Sequence, residues 1–301
     1  MPIDIRHPSD YSAVVAQQAT DTAAPGIDLA HERNAGMGYQ DIILEKQDGI
    51  ARITLNRPEA LNAFREPMRV EIGAAIRDVR DDPASKVLIF TGAGRAFAAG
   101  GDVKAMAERA VTGENILARR HYMRSVVGGV LWELYNLEKP TIAMVNGVAA
   151  GGGCNLALAC DMIVASEQAK FIQSFVRVGL PPDWAGMYFL PRLVGMAKAK
   201  ELIFTARPVD AAEAERIGLV NRAVPHADLE PITMELARQL TKSATAAIGL
   251  AKTIMHRSAE LNFYAFLEYE ALATTVGTQT EDHKEGARAF VEKRAPQFKG
   301  R

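Results

Sequence analysis

The chain has 301 residues, of which 48% are hydrophobic and 24% are charged, and its formal net charge is −1. This length and composition indicate a folded protein with ample core, in one large domain or two small ones. The near-zero charge argues against a nucleic-acid groove and a membrane-surface partner, and no apolar run approaches the ~20 residues that span a bilayer.

The first part of the chain carries little pattern. Residues 1–38 show no helix or strand period, which predicts an extension that is poorly ordered or loosely docked. No basic flank precedes an apolar segment there, so we expect no secretory signal. Cys154 and Cys160 stand six residues apart in apolar sequence and match no zinc pattern. Reduced, buried thiols are typical of a cytoplasmic protein, which is the expected location.

From residue 42 onward, predicted strands alternate with predicted helices. Apolar residues on both sides of residues 47–49, Gln-Asp-Gly, predict a hairpin. Helical spacing begins at Met68 and ends at residues 82–83, Asp-Pro. Residues 87–90 are typical of a buried strand, and they lead into residues 97–102, Phe-Ala-Ala-Gly-Gly-Asp.

The same order of elements follows once more. We expect a helix over residues 119–137 and a strand over residues 142–145. Next come residues 146–155, Asn-Gly-Val-Ala-Ala-Gly-Gly-Gly-Cys-Asn, and a helix through about Ala159. A further strand is expected at residues 162–164. This alternation predicts an α/β fold with mostly parallel strand pairing.

Both glycine-rich segments follow an apolar strand and open into a helix. The start of a helix leaves backbone N–H groups unpaired and carries a partial positive charge. Glycine lets another atom approach that backbone without a side chain in the way. Two such corners could hold one thioester oxygen between two N–H donors, which is the arrangement of an oxyanion hole.

At these residues the chain resembles the crotonase superfamily, the enoyl-CoA hydratase/isomerase family, from about Tyr39 to the C-terminus. Besides the two glycine-rich segments, the resemblance includes residues 55–58 (Leu-Asn-Arg-Pro), 60–63 (Ala-Leu-Asn-Ala), 190–195 (Leu-Pro-Arg-Leu-Val-Gly) and 290–294 (Phe-Val-Glu-Lys-Arg). It implies an α/β fold of the crotonase type, with a spiral of β-β-α turns over residues 39–235. It also implies a C-terminal helical trimerisation region over residues 236–301, in a homotrimer or a dimer of trimers.

The resemblance also implies a binding site for an acyl-CoA substrate. Ala99 and Gly152 occupy the positions whose N–H groups form the family's oxyanion hole. Coenzyme A is expected only as part of the thioester, with no metal and no other cofactor. The positions implied to line it are Ala60, Leu61, Ala63, Ala99, Gly101, Asp102 and Lys104, with Phe290 and Lys293 reaching the CoA of an adjacent subunit. Each of the two lysines is equally well explained as a solvated surface charge.

Family members stabilise an enolate at the thioester oxygen, where one fixed donor is worth roughly 3 kcal/mol. A base must also reach the carbon-bound proton. Hydratases of the family use two glutamates to activate water, and the resemblance puts Asn155 and Phe175 at those positions. Neither side chain transfers protons near neutral pH. Asp183 stands where several isomerases carry an acid, and the segment 155–192 most resembles the phenylacetate-pathway isomerase.

The sequence therefore predicts an enoyl-CoA isomerase in which Asp183 moves a proton between two carbons. Phe175 would keep the pocket dry and raise the pKa of Asp183. The main alternative is an enoyl-CoA hydratase that uses Glu108 or Asp183 alone. A thioester hydrolase, a decarboxylase and a non-catalytic acyl-CoA-binding or RNA-binding protein also stay open. Asp183 could instead cap a helix. Asn155 is also a candidate residue of the catalytic site, and it could equally be satisfied by backbone without touching substrate.

Overall fold

The computed structural model describes residues 38–113 and 115–301, without the side chains of residues 103, 104, 109 and 110. The expectations for residues 1–37 concern a segment outside the described residues. Residues 39–301 form one compact unit.

The described chain contains ten strands and twelve α-helices. The strands are β1 Ile42–Gln47, β2 Ile50–Leu55, β3 Val87–Gly92, β4 Ala96–Ala98, β5 Thr141–Val145, β6 Val148–Ala150, β7 Met162–Ser166, β8 Lys170–Ile172, β9 Val209–Asp210 and β10 Arg222–Val224. The helices are α1 Glu66–Asp81, α2 Val103–Thr112, α3 Ile116–Tyr122, α4 Gly128–Tyr135, α5 Gly152–Leu158, α6 Gly186–Val194, α7 Met196–Thr205, α8 Ala211–Arg216, α9 Leu229–Thr241, α10 Thr245–Arg257, α11 Phe263–Gln279 and α12 Glu281–Glu292.

These strands form two sheets. One has six strands in the order β1-β2-β3-β5-β7-β10, and the other has four in the order β4-β6-β8-β9. Within the described chain, β1–β2 and β8–β9 pair antiparallel and the other pairs are parallel. The predicted α/β class with mostly parallel pairing is confirmed.

The two sheets are joined by a repeating β-β-α unit. A strand of the six-stranded sheet is followed by a short strand of the four-stranded sheet and then by a helix, as in β3-β4-α2 and β5-β6-α5. A third unit, β7-β8, ends in the 3₁₀ turn Ser174–Val178. Because the short strands β4 and β6 pair with each other, the repeat brings the two glycine-rich segments side by side.

Local sequence explains the first elements. Asp48 and Gly49 both have positive φ, 52° and 80°, which is the backbone that a two-residue hairpin turn requires. Helix α1 places Met68, Ile72 and Val79 at zero exposure, at spacings that keep them on one face of the helix. This face packs into the main hydrophobic core with the six-stranded sheet.

One sequence prediction differs from the structure. The single helix expected over residues 119–137 is divided into α3 and α4 by the π-helical turn Met123–Val127, which adds a residue per turn just before two glycines. The boundary between residues 235 and 236, which lies within the range of α9, stays a prediction. Among the described helices, none combines the length and apolar character needed to cross a bilayer.

Candidate active site

The two glycine-rich corners meet at Gly100 and Gly152. Ala96 pairs with Val148, and Ala98 with Ala149, in parallel register. Gly100 has a φ of +87°, and a Cβ placed on it would lie 2.6 Å from the Ala150 carbonyl oxygen and 3.0 Å from the Gly152 nitrogen. Only glycine permits this approach. The structure therefore places the two glycine-rich segments next to each other, as the sequence predicted.

The N–H groups of these corners differ in their surroundings. Gly152 begins helix α5, where the first N–H groups have no carbonyl within the helix. The Ala99 N–H instead donates to the Leu61 carbonyl oxygen at 2.9 Å. A thioester oxygen at Ala99 must therefore share this donor with Leu61 or replace it. The assignment of Ala99 and Gly152 as an oxyanion hole stays a prediction.

A loop between β2 and α1 holds three of the residues predicted to contact CoA. Leu61 and Asn62 both have left-handed backbone, with φ of 51° and 56°. Ala60 and Leu61 are half-buried, and Ala63 is buried. The loop thus places the carbonyl of Leu61 directly on the first glycine corner.

Asn62, which the sequence did not single out, fixes this loop. Its side chain has zero exposure. The Nδ2 group donates to the carbonyl oxygens of Ala93, Ala96 and Phe97 at 2.9, 2.8 and 3.2 Å, and Oδ1 accepts from the Arg57 N–H at 2.8 Å. One amide therefore joins the predicted CoA loop to the segment that leads into the Ala99 corner.

Asp183 lies in a turn that is built against Gly152. The next two residues, Trp184 and Ala185, have φ of 50° and 53°, which is unfavourable for side chains with a Cβ and needs support from the surroundings. Trp184 is buried, and its Cδ1 would lie 2.9 Å from a Cβ on Gly152. The Trp184 ring also packs 4.7 Å from the ring of Phe64. The turn is thus anchored between the second corner and Phe64, in the loop that precedes helix α1.

Asn155 supplies the hydrogen bond that supports this turn. Its Nδ2 donates to the Asp183 carbonyl oxygen at 2.7 Å, and its Oδ1 accepts from Gln173 Nε2 at 2.8 Å. Asn155 has zero exposure, so these contacts favour the alternative in which it serves the backbone. Phe175 is also buried, and its ring carbons approach a Cβ built on Gly151 at 3.7 and 3.9 Å.

Burial and two arginines set the charge of Asp183. Loss of hydration raises the pKa of its carboxyl above the ordinary value of 3.8, and the nearby guanidinium groups of Arg69 and Arg119 oppose that rise. Arg69 donates from Nη1 to the Tyr122 hydroxyl at 2.8 Å and from Nη2 to the Phe64 carbonyl at 3.1 Å. A partly buried acid with a raised pKa can hold a proton and release it, as general acid–base chemistry requires.

Arg69 was not identified as a site residue from the sequence, although its position in the helical pattern could have indicated it. Residues 69, 72 and 76 lie at helical spacing, and Ile72 and Ile76 have zero exposure. A charged side chain on this buried face must find polar partners. The arginine therefore marks a polar site inside an otherwise apolar helix face.

The other residues predicted to bind CoA are less closely connected. Gly101 forms an isolated bridge with Phe64, and Asp102 lies 3.6 Å from Arg57 Nη1. The side chain of Lys104 lies outside the described part of the chain. Phe290 and Lys293 are exposed at the end of α12, where the Lys293 N–H bonds to the Phe290 carbonyl. Among the described residues, no hydrogen bond links Phe290 or Lys293 to the two glycine corners.

The remaining residues singled out in the sequence are Glu108 and the two cysteines. Glu108 is exposed on α2. Cys154 and Cys160 are buried and unpaired, as predicted, and burial raises the pKa of Cys154 to about 12. In the part of the chain described, no group of three or more His, Cys, Asp or Glu side chains is arranged to hold a metal ion.

A β-β-α spiral with two facing glycine corners and a partly buried acid beside them defines a protein of the crotonase fold. A sequence profile described as enoyl-CoA hydratase/isomerase matches residues 45–301. The chain belongs to the enoyl-CoA hydratase/isomerase family.

Comparisons with individual proteins agree with this family. The chain is 40% identical over 263 residues to a Mycobacterium tuberculosis protein named "Probable enoyl-CoA hydratase", covering 87% of this chain and 99% of that protein. It is 39% identical over 264 residues to the crotonyl-CoA hydratase of Syntrophomonas wolfei, with the same coverage of 87% and 99%. The crystal structure of an enoyl-CoA hydratase from Bacillus anthracis matches with a TM-score of 0.80 and 34% identity, over 87% of this chain and all of that one.

Proposed function

We propose that this protein isomerises enoyl-CoA thioesters, with Asp183 as the group that removes a proton from one carbon and returns it to another. The observation that carries the proposal is the hydrogen bond from Asn155 to the backbone of Asp183 at 2.7 Å. By the resemblance, the family's hydratases carry a water-activating glutamate at the position of Asn155. Here the Asn155 amide instead supports the turn that carries a different acid, Asp183.

The surroundings of Asp183 favour retention of the carboxyl proton over its exchange with water. Trp184, the next residue, is buried, and burial favours the protonated carboxyl of Asp183. A water molecule poised for addition needs polar partners, and Asn155 is already engaged with Asp183 and Gln173. In this mechanism the N–H groups of Ala99 and Gly152 stabilise the enolate oxygen while Asp183 moves the proton.

A second candidate is an enoyl-CoA hydratase that uses Asp183 as its single acid. The names of the relatives favour it, because proteins 39–40% identical to this chain carry hydratase names. The more specific resemblance to the phenylacetate-pathway isomerase rests on the sequence segment around Asn155 and Asp183 alone.

One assay separates the two candidates. The protein is incubated with a 3-enoyl-CoA and with a 2-enoyl-CoA, and products are identified by chromatography and mass. Migration of the double bond without a mass increase supports the isomerase, whereas a gain of one water supports the hydratase. Asp183→Asn should abolish migration and leave binding of the CoA ester nearly intact. Full migration activity in that variant would refute the role given to Asp183.

We also propose a homotrimer or a dimer of trimers. In the described chain, the C-terminal helices expose large apolar side chains, among them Phe263 at 72%, Leu272 at 61% and Phe290 at 86%. Burial of these side chains against other copies of the chain would remove apolar surface from water. Sedimentation velocity of the purified protein measures the number of chains, and a monomer at micromolar concentration would contradict the proposal.

A further inference from the structure

A cavity of about 440 Å³ opens beside the Asp183 turn, within the size range of small-ligand pockets. Its walls include Phe64, Arg69, Asp102, Arg119 and Tyr122, and we call it the Arg69 cavity. Phe64 joins it to the candidate site, since the Phe64 ring packs on Trp184 and its N–H donates to the Gly100 carbonyl oxygen at 2.6 Å. The cavity therefore adjoins the glycine corners through Phe64.

The polar wall of the cavity is unsuited to an alkyl chain. Arg69 is 8% exposed, so its guanidinium has lost most of its hydration. Two of its five N–H donors bond to Tyr122 and Phe64. Its buried Nε–H finds no acceptor among the described residues. Because the Nε atom is itself enclosed, a ligand oxygen would accept from a remaining N–H of Nη1 or Nη2, whereas an alkyl group would offer the guanidinium no acceptor.

The other charged groups around the cavity are engaged or exposed. Arg65 forms a two-bond pair with Asp41 at 2.6 and 2.5 Å, and Asp102 lies 3.6 Å from Arg57. Glu66 is exposed. Arg119 lies over the Tyr122 ring, 5.4 Å from its centroid, and adds positive charge to the same wall. The Asp183 carboxyl interacts with both arginines, and its burial favours the protonated form. The wall therefore favours an electron-rich oxygen.

We propose that the acyl group of the substrate carries an oxygen acceptor at the end distant from the thioester, and that Arg69 binds this oxygen. The inference rests on the proposed function only in taking the ligand to be a CoA thioester. Arg69 is then a specificity-determining residue, and the substrate is an oxygenated acyl-CoA rather than a simple fatty acyl-CoA.

The test measures binding of saturated esters, which neither isomerise nor hydrate. Calorimetry compares adipoyl-CoA, with a distal carboxylate, 6-hydroxyhexanoyl-CoA, with a distal neutral oxygen, and hexanoyl-CoA, which has neither. We expect the wild-type protein to bind at least one of the oxygenated esters tenfold or more tightly than hexanoyl-CoA. The preferred ester identifies whether the oxygen is charged or neutral.

Variants assign the preference to Arg69. Arg69→Met should reduce the ratio of affinities to about one, and Arg69→Lys should keep part of it, because an ammonium keeps the charge but loses the planar fork. Arg77→Met is the matched control on the same helix, since Arg77 is 47% exposed and its contact is with Glu133 at 4.0 Å. Circular dichroism checks that each variant is folded.

Each outcome decides the proposal. Equal or tighter binding of hexanoyl-CoA by the wild-type protein overturns it, even if no variant folds. A preference that persists in Arg69→Met overturns the role of Arg69, as does a variant that changes the pH profile of turnover and leaves the affinity ratio unchanged. Because these esters do not react, failure here is distinct from failure of the isomerase assay.

Discussion

Replacement of Asn155 by alanine tests how the Asp183 turn is held. The substitution removes the amide that donates to the Asp183 carbonyl at 2.7 Å and accepts from Gln173 Nε2 at 2.8 Å. Both partner groups then lose a bond inside the protein, in a region where Trp184 and Ala185 hold unfavourable backbone angles.

The expected cost follows from these two bonds. A buried polar group left without a partner costs about 1–3 kcal/mol, so two such groups give about 2–6 kcal/mol. Gln173 Nε2 keeps a contact with Cys154 Sγ at 3.4 Å, and sulfur is a weak acceptor. We therefore expect a loss of about 3 kcal/mol, a large share of the roughly 5–15 kcal/mol that stabilises a typical protein.

Urea unfolding at fixed protein concentration measures this loss. With a slope of about 3 kcal/mol per molar, the midpoint should fall by about 1 M. Turnover should fall as well, since a displacement of about 1 Å at a catalytic group can cost about 100-fold in rate. Asn136→Ala is the matched control: its amide donates to the Trp132 carbonyl at 2.8 Å at an exposed position, and its effect should stay within about 0.5 kcal/mol.

The two readouts separate the possible roles of Asn155. An unchanged midpoint with lost turnover would mean that the amide touches substrate directly. Unchanged stability and unchanged turnover together would refute the supporting role that the geometry assigns.

Three further changes have defined outcomes. Burial raises the folded-state pKa of Asp183 above 3.8, so stability present below that pH is lost as pH rises through the folded pKa. The Asp183→Asn variant should therefore match the stability of the wild-type protein below pH 3.8 and exceed it at neutral pH. Parallel curves of melting temperature against pH for the two proteins would contradict this. Gly100→Ala places a Cβ 2.6 Å from a backbone carbonyl oxygen and should cost about 1–3 kcal/mol in urea, well beyond Gly113→Ala, which shares a positive φ but has open space. Asp161→Ala leaves the Lys252 ammonium, 8% exposed, without its 2.8 Å partner and should destabilise by about 3–5 kcal/mol, with a melting temperature equal to wild type as the contradicting result.

Periodicity and chain order were enough to predict the architecture. The segments assigned as strands from apolar runs coincide with β1, β2, β3, β5 and β7 of the six-stranded sheet. The strands β4, β6, β8 and β9 of the other sheet are two or three residues long. A segment so short shows no alternation. It becomes a strand only because the spiral places it beside another.

The candidate site was predictable where glycine marks a backbone requirement. The approach of Gly100 to Gly152 follows from residues that can be recognised in the sequence. The left-handed backbone at Trp184 and Ala185 could not be inferred, because neither residue type favours it and the support comes from the bond of Asn155 to Asp183, 28 positions apart. The bond from Ala99 to Leu61 was likewise invisible, since it depends on a loop geometry set by Asn62.

The side chain of Asn62 limits which residues the chain tolerates at that position. Its amide nitrogen faces three carbonyl oxygens, while its oxygen faces an N–H. Aspartate has the same size and shape, but a carboxylate has no hydrogen to offer, and each of the three attractions would become a repulsion. Leucine would fill the volume but leave all four backbone groups without a hydrogen-bond partner. Of the twenty genetically encoded amino acids, this site admits the one whose short side chain carries a donor and an acceptor on opposite corners of a single plane.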